Sequence, residues 1–228
     1  MALNHRVISI GTLEKNPFWS REDEPRTGHT TTTLIRSGDV TLLVDPGLPG
    51  QVLGARLKER SGLEPADITH VFLTSFHPDA RRSIELFDGA KWLISETERE
   101  AVGVPLARQL AAAADEGETE LADMLKREVA LLQRFKAAPV QIAPGVDLFP
   151  LPGVTPGMTG LILSHKRYTL LVTGDAIPTS EHLEHGQVLK RAVDVEAAKQ
   201  SLQEAIDIAD LFIPGRDGLL VNPMRGPF

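Results

Sequence analysis

Residues 71–80, Val-Phe-Leu-Thr-Ser-Phe-His-Pro-Asp-Ala, join an apolar run to a polar turn. Residues 68–74 are rich in apolar and β-branched side chains, a composition that predicts a buried strand. Directly after this segment, polar side chains occupy three alternate positions, Ser75, His77 and Asp79. Polar residues on a loop that a rigid strand positions are common sites of binding and catalysis. The stretch therefore predicts a core strand with part of a functional site at its end.

Four other loops also follow predicted strands and carry polar residues at their tips. The first begins at Asp45, after the apolar residues 42–44. The others are residues 152–158 (PGVTPGM), 173–176 (TGDA) and 214–217 (PGRD). Each loop alone is a weak signal, and it is their order along the chain that carries information about the fold.

The elements around these loops fall into two β-rich halves. Strands are predicted over residues 7–10, 30–36, 40–44, 68–74, 92–94, 146–151, 160–165, 168–172 and 211–213. Helices are predicted over residues 49–61, from Glu96 with clear helical spacing over 104–136 and a break near Gly117, and after the cap residue Asp194. Strands and helices in this succession predict an α/β (α+β) chain in which sheets are flanked by helices.

Composition limits the classes of function. The chain has 228 residues, of which 42% are hydrophobic and 24% charged, and its formal net charge is −7. This charge argues against nucleic-acid binding, which needs clustered positive charge. The absence of cysteine excludes disulfides, iron–sulfur clusters and thiolate zinc sites. No apolar run approaches the roughly 18 residues of a membrane span and no signal peptide is visible, so we expect a cytoplasmic protein without membrane contact.

The five loops, in order from Asp45 to Asp217, resemble the metallo-β-lactamase superfamily. Members of that family carry T-H-x-H-x-D-H after a strand, then G-H-T, T-G-D and a late G-H. Those residues bind one or two zinc or iron ions, which generate a hydroxide that attacks an ester, amide, thioester or phosphodiester bond. The resemblance implies a four-layer αβ/βα sandwich formed as a single domain over residues 1–228, with a helical insertion at about 104–137.

The family's ligand positions are only partly retained in this chain. Three of them keep a residue that can bind metal, namely His77, Asp79 and Asp175. Four of them are replaced by residues outside the family pattern, namely Ser75, Ala80, Val154 and Arg216. Alanine and valine have no lone pair to donate, and arginine does not deprotonate to become a ligand. We therefore expect no metal cofactor, and Asp45 is assigned a place beside the former ligands rather than among them.

Arg216 suggests what replaces the metal. Without a cation, Asp79 and Asp175 would be two carboxylates at the bottom of a cleft, which is costly unless they are paired or protonated. A guanidinium at the position of the late family histidine could neutralise both, because its planar geometry matches carboxylates. The predicted centre is an Asp/Arg salt bridge. The alternative is that Arg216 points into solvent.

Two other groups of polar residues could carry chemistry. Ser75, His77 and Asp79 could form a nucleophile, base and orienting group, but side chains two apart on an extended segment run parallel, which disfavours a relay. His182 and His185 would share a helix face and could replace lost ligands, although a surface histidine pair is the commoner case. Catalytic residues are accordingly not assigned.

A polar loop over residues 16–28 carries two aromatic residues, Phe18 and Trp19. In the resembling fold this loop overhangs the site, so both residues are candidates for a cleft cover. Packing of the two rings onto the body of the domain is the alternative.

The sequence supports two functional hypotheses. The first is a degenerate member of the family that has lost its hydrolytic metal chemistry and binds a small molecule or a protein partner in the residual cleft. The second is a hydrolase of esters, thioesters or lactones that keeps a single zinc, iron or manganese ion on His77, Asp79 and Asp175. The number of retained ligands favours the first hypothesis. Fold alone does not decide between them.

Overall fold

In the computed structural model, residues 2–19 and 26–225 are described, and within these ranges the strands form two six-stranded sheets. The first sheet follows chain order: β1 (Asn4–Ser9), β2 (Thr32–Ser37), β3 (Val40–Val44), β4 (His70–Leu73), β5 (Lys91–Ile94) and β6 (Lys136–Ala137). The second sheet contains, also in chain order, β7 (Gln141–Ala143), β8 (Val146–Pro150), β9 (Thr159–Ser164), β10 (Thr169–Gly174), β11 (Leu211–Pro214) and β12 (Leu220–Val221). Strands β3 to β6 are mutually parallel, and β10 is parallel to β11.

Alternating side chains explain why the two sheets stack. In β4, Phe72 faces a buried cluster shared by both sheets, whereas Val71 and Leu73 face a cluster on the outer side of the first sheet. In β10, Leu170 faces the shared cluster, and Leu171 faces a cluster on the outer side of the second sheet. Because successive residues of a strand point to opposite faces, both sheets bury both faces.

Helices cover the two outer faces. They are α1 (Gly50–Ser61), α2 (Glu96–Asp115), α3 (Thr119–Arg134), α4 (Ser180–Glu184) and α5 (Val195–Ile208). Leu53 and Leu57 of α1 pack on the first sheet, and Leu202 and Ala205 of α5 pack on the second. The result is the predicted sandwich of helices, sheet, sheet and helices. No helix in the described part of the chain combines the length and the apolar composition needed to cross a membrane.

Element boundaries differ from the predicted ones by a few residues. Strand β1 begins at Asn4 rather than at residue 7, because polar residues at a sheet edge pair with β2 as readily as apolar ones. Helix α2 begins at Glu96 as predicted, where Ser95 Oγ accepts the Glu98 backbone N–H and caps the helix. The break near Gly117 is confirmed, since its φ of 72° ends α2 in a left-handed conformation. That the chain is a single domain, and that the helical pair of α2 and α3 is an insertion into it, stay predictions.

Candidate functional site

The charged centre of the molecule consists of Asp79, Asp175 and Arg216, which follow three different strands. Asp79 lies on a 3₁₀ turn, Pro78–Ala80, shortly after β4, and Asp175 directly follows β10. Arg216 lies two residues beyond β11, which runs parallel to β10. Glycine is needed at position 215, between the end of β11 and Arg216, because a Cβ there would lie 2.5 Å from Asp175 Oδ1. Parallel strands direct their carboxyl ends to one edge of the sheet, so Asp175 and Arg216 meet there.

Arg216 lies between the two carboxylates. Its Nε donates to Asp175 Oδ1 at 2.8 Å and its Nη2 to Asp175 Oδ2 at 2.9 Å, which is a bidentate pair. Its Nη1 donates to Asp79 Oδ2 at 2.7 Å. The Arg216 side chain is 1% exposed, so the alternative in which it points into solvent is wrong. The ion pair expected from the sequence is present.

The opposite charges of Asp175 and Arg216 determine the protonation states of these two groups. Burial alone would raise the pKa of Asp175, but the charge and hydrogen bonds of Arg216 outweigh it and hold that pKa well below its ordinary value. Burial would lower the pKa of Arg216, but Asp175 and Asp79 together raise it above its ordinary value. Both groups are therefore ionised at neutral pH.

Arg191, which the sequence did not single out, is a second cation at the centre. Its Nη2 donates to Asp175 Oδ2, and its Nη1 contacts His77 Nε2. The residue lies on the irregular segment between α4 and α5, and its side chain is 39% exposed. The sequence offers no periodicity or motif that would direct it to the cleft, because only tertiary packing brings this segment over β10.

His77 is a neutral group in this arrangement. Burial lowers its pKa, and the charge of Arg191 lowers it further. Its Nδ1 lies 3.2 Å from the backbone N of Asp79, and its Nε2 faces Arg191. Neither ring nitrogen is directed at the Ser75 hydroxyl, so the proposed relay of Ser75, His77 and Asp79 is not formed.

The positions at which the resemblance implies lost ligands are buried. Ala80 is fully buried in the cluster on the outer side of the first sheet, beside α1. Val154 is buried in the cluster beneath α5, with Met158 and Leu189. Ser75 is 3% exposed. Aliphatic side chains at positions 80 and 154 pack against apolar neighbours, and this burial contributes stability.

Asp45 is buried, close enough to Asp175 and Arg216 for their charges to affect its pKa. Its Oδ1 accepts the backbone N–H of Thr74 at 2.9 Å, and its Oδ2 accepts the Thr74 hydroxyl at 2.7 Å. Its φ of 50° is unusual for a residue with a side chain and turns the carboxyl group inward after β3. Burial raises the pKa of Asp45 to about 7, although its hydrogen bonds to Thr74 act in the opposite direction.

This raised pKa predicts a distinct pH dependence of stability. Between about pH 4, the ordinary value of a carboxyl pKa, and pH 7 the folded state holds a proton on Asp45 that the unfolded state releases. The free energy of unfolding should therefore fall as pH rises through this range. In Asp45→Asn, which keeps an acceptor for the Thr74 N–H, that fall should largely disappear. Urea unfolding at pH 4.5, 6 and 7.5 measures it, and equal pH slopes in both proteins would contradict the prediction.

Glu98, which was also not predicted, ties two site loops together. Its carboxylate accepts the backbone N–H of Phe76 at 3.0 Å, the backbone N–H of Gly157 at 3.2 Å and the Thr155 hydroxyl at 2.7 Å. Glu98 is fully buried in the first turn of α2, where a negative charge is favoured by the helix dipole. An acidic residue in the first turn of a helix is normally exposed to solvent. The sequence position of Glu98 therefore did not indicate that its side chain is buried and joins two loops.

The two aromatic residues of the loop contact α4 and the residue that follows it. Phe18 stacks on His185 at 4.7 Å between ring centroids and meets His182 edge-to-face at 5.0 Å. Trp19 Nε1 donates to Glu181 Oε1 at 3.3 Å. Both residues therefore contact the body of the domain, and their assignment as a cleft cover stays a prediction. Most of the loop beyond them, residues 20–25, lies outside the described residues.

The histidine pair of α4 is not a surface pair. His182 is 2% exposed and its Nδ1 lies 2.9 Å from the Thr179 hydroxyl, while His185 is exposed. The surface interpretation is wrong for His182, because the aromatic ring of Phe18 covers it. Within residues 2–19 and 26–225, no group of three or more histidine, aspartate or glutamate side chains is arranged to hold a metal ion.

A cavity of about 750 Å3 opens above the charged centre. His77, Asp79, Arg191 and Arg216 line its floor, and residues 13–17 and 187–190 form its walls. The walls mix apolar and charged side chains, which is typical of small-molecule sites of this size.

Comparisons with known proteins agree with this architecture. A family model described as the metallo-beta-lactamase superfamily matches residues 25–216. The human protein named Metallo-beta-lactamase domain-containing protein 1 is 26% identical over 211 residues, which are 88% of this chain and 67% of the human protein.

Two solved structures share the fold. A Thermotoga maritima protein of the metallo-beta-lactamase type has a TM-score of 0.68 at 16% identity, covering 97% of this chain and 100% of that one. The dizinc quorum-quenching lactonase AidC, solved with a product, has a TM-score of 0.67 at 18% identity, covering 87% of this chain and 76% of its own. At these identities the similarity is one of fold alone.

Proposed function

Because the chain belongs to the metallo-beta-lactamase superfamily, we propose that it is a degenerate member in which an Asp/Arg ion pair has taken the place of the metal and the cleft serves to bind a ligand. The observation that carries this proposal is the position of Arg216. Its guanidinium donates to both aspartates that the family motif would direct at a metal, Asp79 and Asp175.

The donor set at this centre does not fit a metal ion. Both oxygens of Asp175 accept from Arg216, and Oδ2 accepts from Arg191 as well. The Nε2 atom of His77 faces the Arg191 guanidinium, so a cation at that nitrogen would meet a positive charge. A zinc site typically needs about four ligands with free lone pairs, and the former ligand positions 80 and 154 are aliphatic.

Loss of the metal removes the nucleophile of the family reaction. In the metal-dependent members, a bound ion converts water into hydroxide at neutral pH. His77 is neutral, but among the described residues its hydrogen-bond partners offer no nucleophile, and the carboxylates of Asp79 and Asp175 are engaged by arginines. The shared fold with a dizinc lactonase favours the alternative of a single-metal hydrolase, and the ion pairs disfavour it.

Metal content separates the two alternatives. Wild-type protein purified without chelators should contain zinc, iron and manganese at well below one ion per chain by elemental analysis. Arg216→His restores a family ligand and removes the competing cation, so it should take up more zinc than the wild type under the same conditions. One tightly held metal ion per wild-type chain would overturn the proposal.

Activity gives an independent readout of the same question. Hydrolysis of generic thioesters, lactams, lactones and phosphodiesters should remain at background. A turnover that disappears in His77→Ala would support the single-metal hydrolase. A turnover that survives His77→Ala would point to a contaminating enzyme.

A further inference from the structure

Two hydrogen-bond donors meet at His77 on the floor of the cavity. A neutral imidazole has one N–H and one lone pair. Both neighbours of the ring are donors: the Asp79 backbone N–H at Nδ1, and Arg191 Nη1 at Nε2. Because the backbone N–H is fixed by the 3₁₀ turn, the lone pair belongs on Nδ1. In this tautomer the N–H of Nε2 faces the Arg191 guanidinium, and within residues 2–19 and 26–225 no acceptor lies between the two groups.

Each oxygen of the nearby carboxylates accepts from an arginine, and within the described residues none of these oxygens makes a hydrogen bond with His77 Nε2. Asp79 Oδ1 accepts from Arg82 Nη2 at 3.3 Å, and its Oδ2 accepts from Arg216. Asp175 Oδ1 accepts from Arg216, and its Oδ2 accepts from both Arg216 and Arg191. Three guanidinium groups therefore face two carboxylates, which leaves a positive surplus in a chain whose net charge is −7.

The cavity walls add to this surplus. Lys15 and Lys190 both line the cavity, and within the described ranges neither ammonium group makes an ion pair. Glu14 is the acidic wall residue that partly offsets them. Leu13 and Leu189 supply an apolar surface beside the charged floor. A site of this composition selects a molecule with an anionic end and an apolar end.

We propose that this cavity binds a small organic oxyanion, a carboxylate or a phosphate ester, whose oxygens accept from His77 Nε2–H and the Arg191 guanidinium while its apolar part lies against Leu13 and Leu189. The inference rests on the proposed function, because a metal ion on His77 would occupy the nitrogen that donates to the anion. The ligand satisfies two donors at once and offsets the surplus positive charge, with Lys15 and Lys190 at the mouth.

Calorimetric titration of the chelator-treated protein tests this proposal. The probes are butyrate, butyl phosphate and butyramide, which share a short apolar chain and differ in the head group. Butyrate or butyl phosphate should bind at least tenfold more tightly than butyramide, and the affinity should fall with added salt. Whichever of the two anions binds more tightly identifies the oxyanion class.

Matched variants locate the binding. Arg191→Gln should weaken anion binding at least tenfold, whereas Arg108→Gln, the same charge change on an exposed position of α2, should leave it within twofold. If Arg191→Gln does not fold, Lys190→Gln against Lys166→Gln provides the same comparison with exposed lysines, and a several-fold loss confined to Lys190→Gln is expected.

The outcomes distinguish the two proposals. A wild-type protein that is free of metal and binds none of the anions would overturn the oxyanion site and leave the degenerate metal centre standing. Anion binding that requires added zinc would overturn both. Equal binding by Arg191→Gln and wild type would place the anion elsewhere and overturn the assignment of this cavity.

Discussion

Replacing Arg216 with alanine is expected to lower the free energy of unfolding by about 3–5 kcal/mol at neutral pH, because it leaves two aspartates without their buried partner. Asp175 is 4% exposed and Asp79 22% exposed at the side chain, so the loss falls mainly on Asp175. Chemical denaturation monitored by tryptophan fluorescence measures this difference.

The deficit should shrink as pH falls. In the variant the stranded carboxyl group has a raised folded-state pKa, and its penalty vanishes once it is protonated. Arg216→His should be milder, and added zinc should stabilise that variant by supplying a positive charge. Arg82→Ala is the matched control, because Arg82 also donates to Asp79 but is 31% exposed, and it should cost less than about 1 kcal/mol. An Arg216→Ala protein as stable as the wild type from pH 5 to 8 would refute the structural role of this ion pair.

Replacing Glu98 with alanine is the second change with a large expected effect. It leaves the backbone N–H groups of Phe76 and Gly157 buried without an acceptor, and each such loss costs about 1–3 kcal/mol. The free energy of unfolding should fall by about 2–6 kcal/mol in total. Thermal and urea unfolding measure the loss.

Two variants control for this result. Glu100→Ala removes the same side chain from an exposed position of α2 and should change stability by less than about 0.5 kcal/mol. Glu98→Gln keeps one acceptor oxygen but turns the other into a donor, so its loss should be intermediate. A fully stable Glu98→Ala protein would mean that the two loops hold their positions without this carboxylate.

The fold was largely predictable because its determinants are local. Alternating apolar residues in β4 and β10 and the helical spacing of α2, α3 and α5 are all visible in the sequence, since each pattern depends on residues a few positions apart. The ion pair of Arg216 was also predictable, because the resemblance to the metallo-β-lactamase superfamily placed Arg216 at the position of a ligand histidine, near Asp79 and Asp175.

The remaining site residues depend on long-range packing that the sequence does not reveal. Arg191 lies on a segment without regular structure. No periodic sequence pattern predicts the path of such a segment, so the sequence did not indicate that Arg191 reaches the cleft. Glu98 has the pattern of an exposed first-turn residue, and His182 that of a surface histidine. Each is buried because another segment of the chain covers it, residues 152–158 for Glu98 and Phe18 for His182.

The ion pair also has a kinetic consequence. Asp79 follows a strand of the first sheet and Arg216 a strand of the second, and their hydrogen bond joins positions 137 residues apart. Such a contact can form only after each half has its own strands in place, because closing so long a loop earlier is entropically unfavourable. An interaction that forms late in folding acts mainly on the unfolding rate. We therefore expect the hydrogen bond between Arg216 and Asp79 to act mainly on the rate at which the two halves separate, whereas the pair between Arg216 and Asp175 lies within the second half.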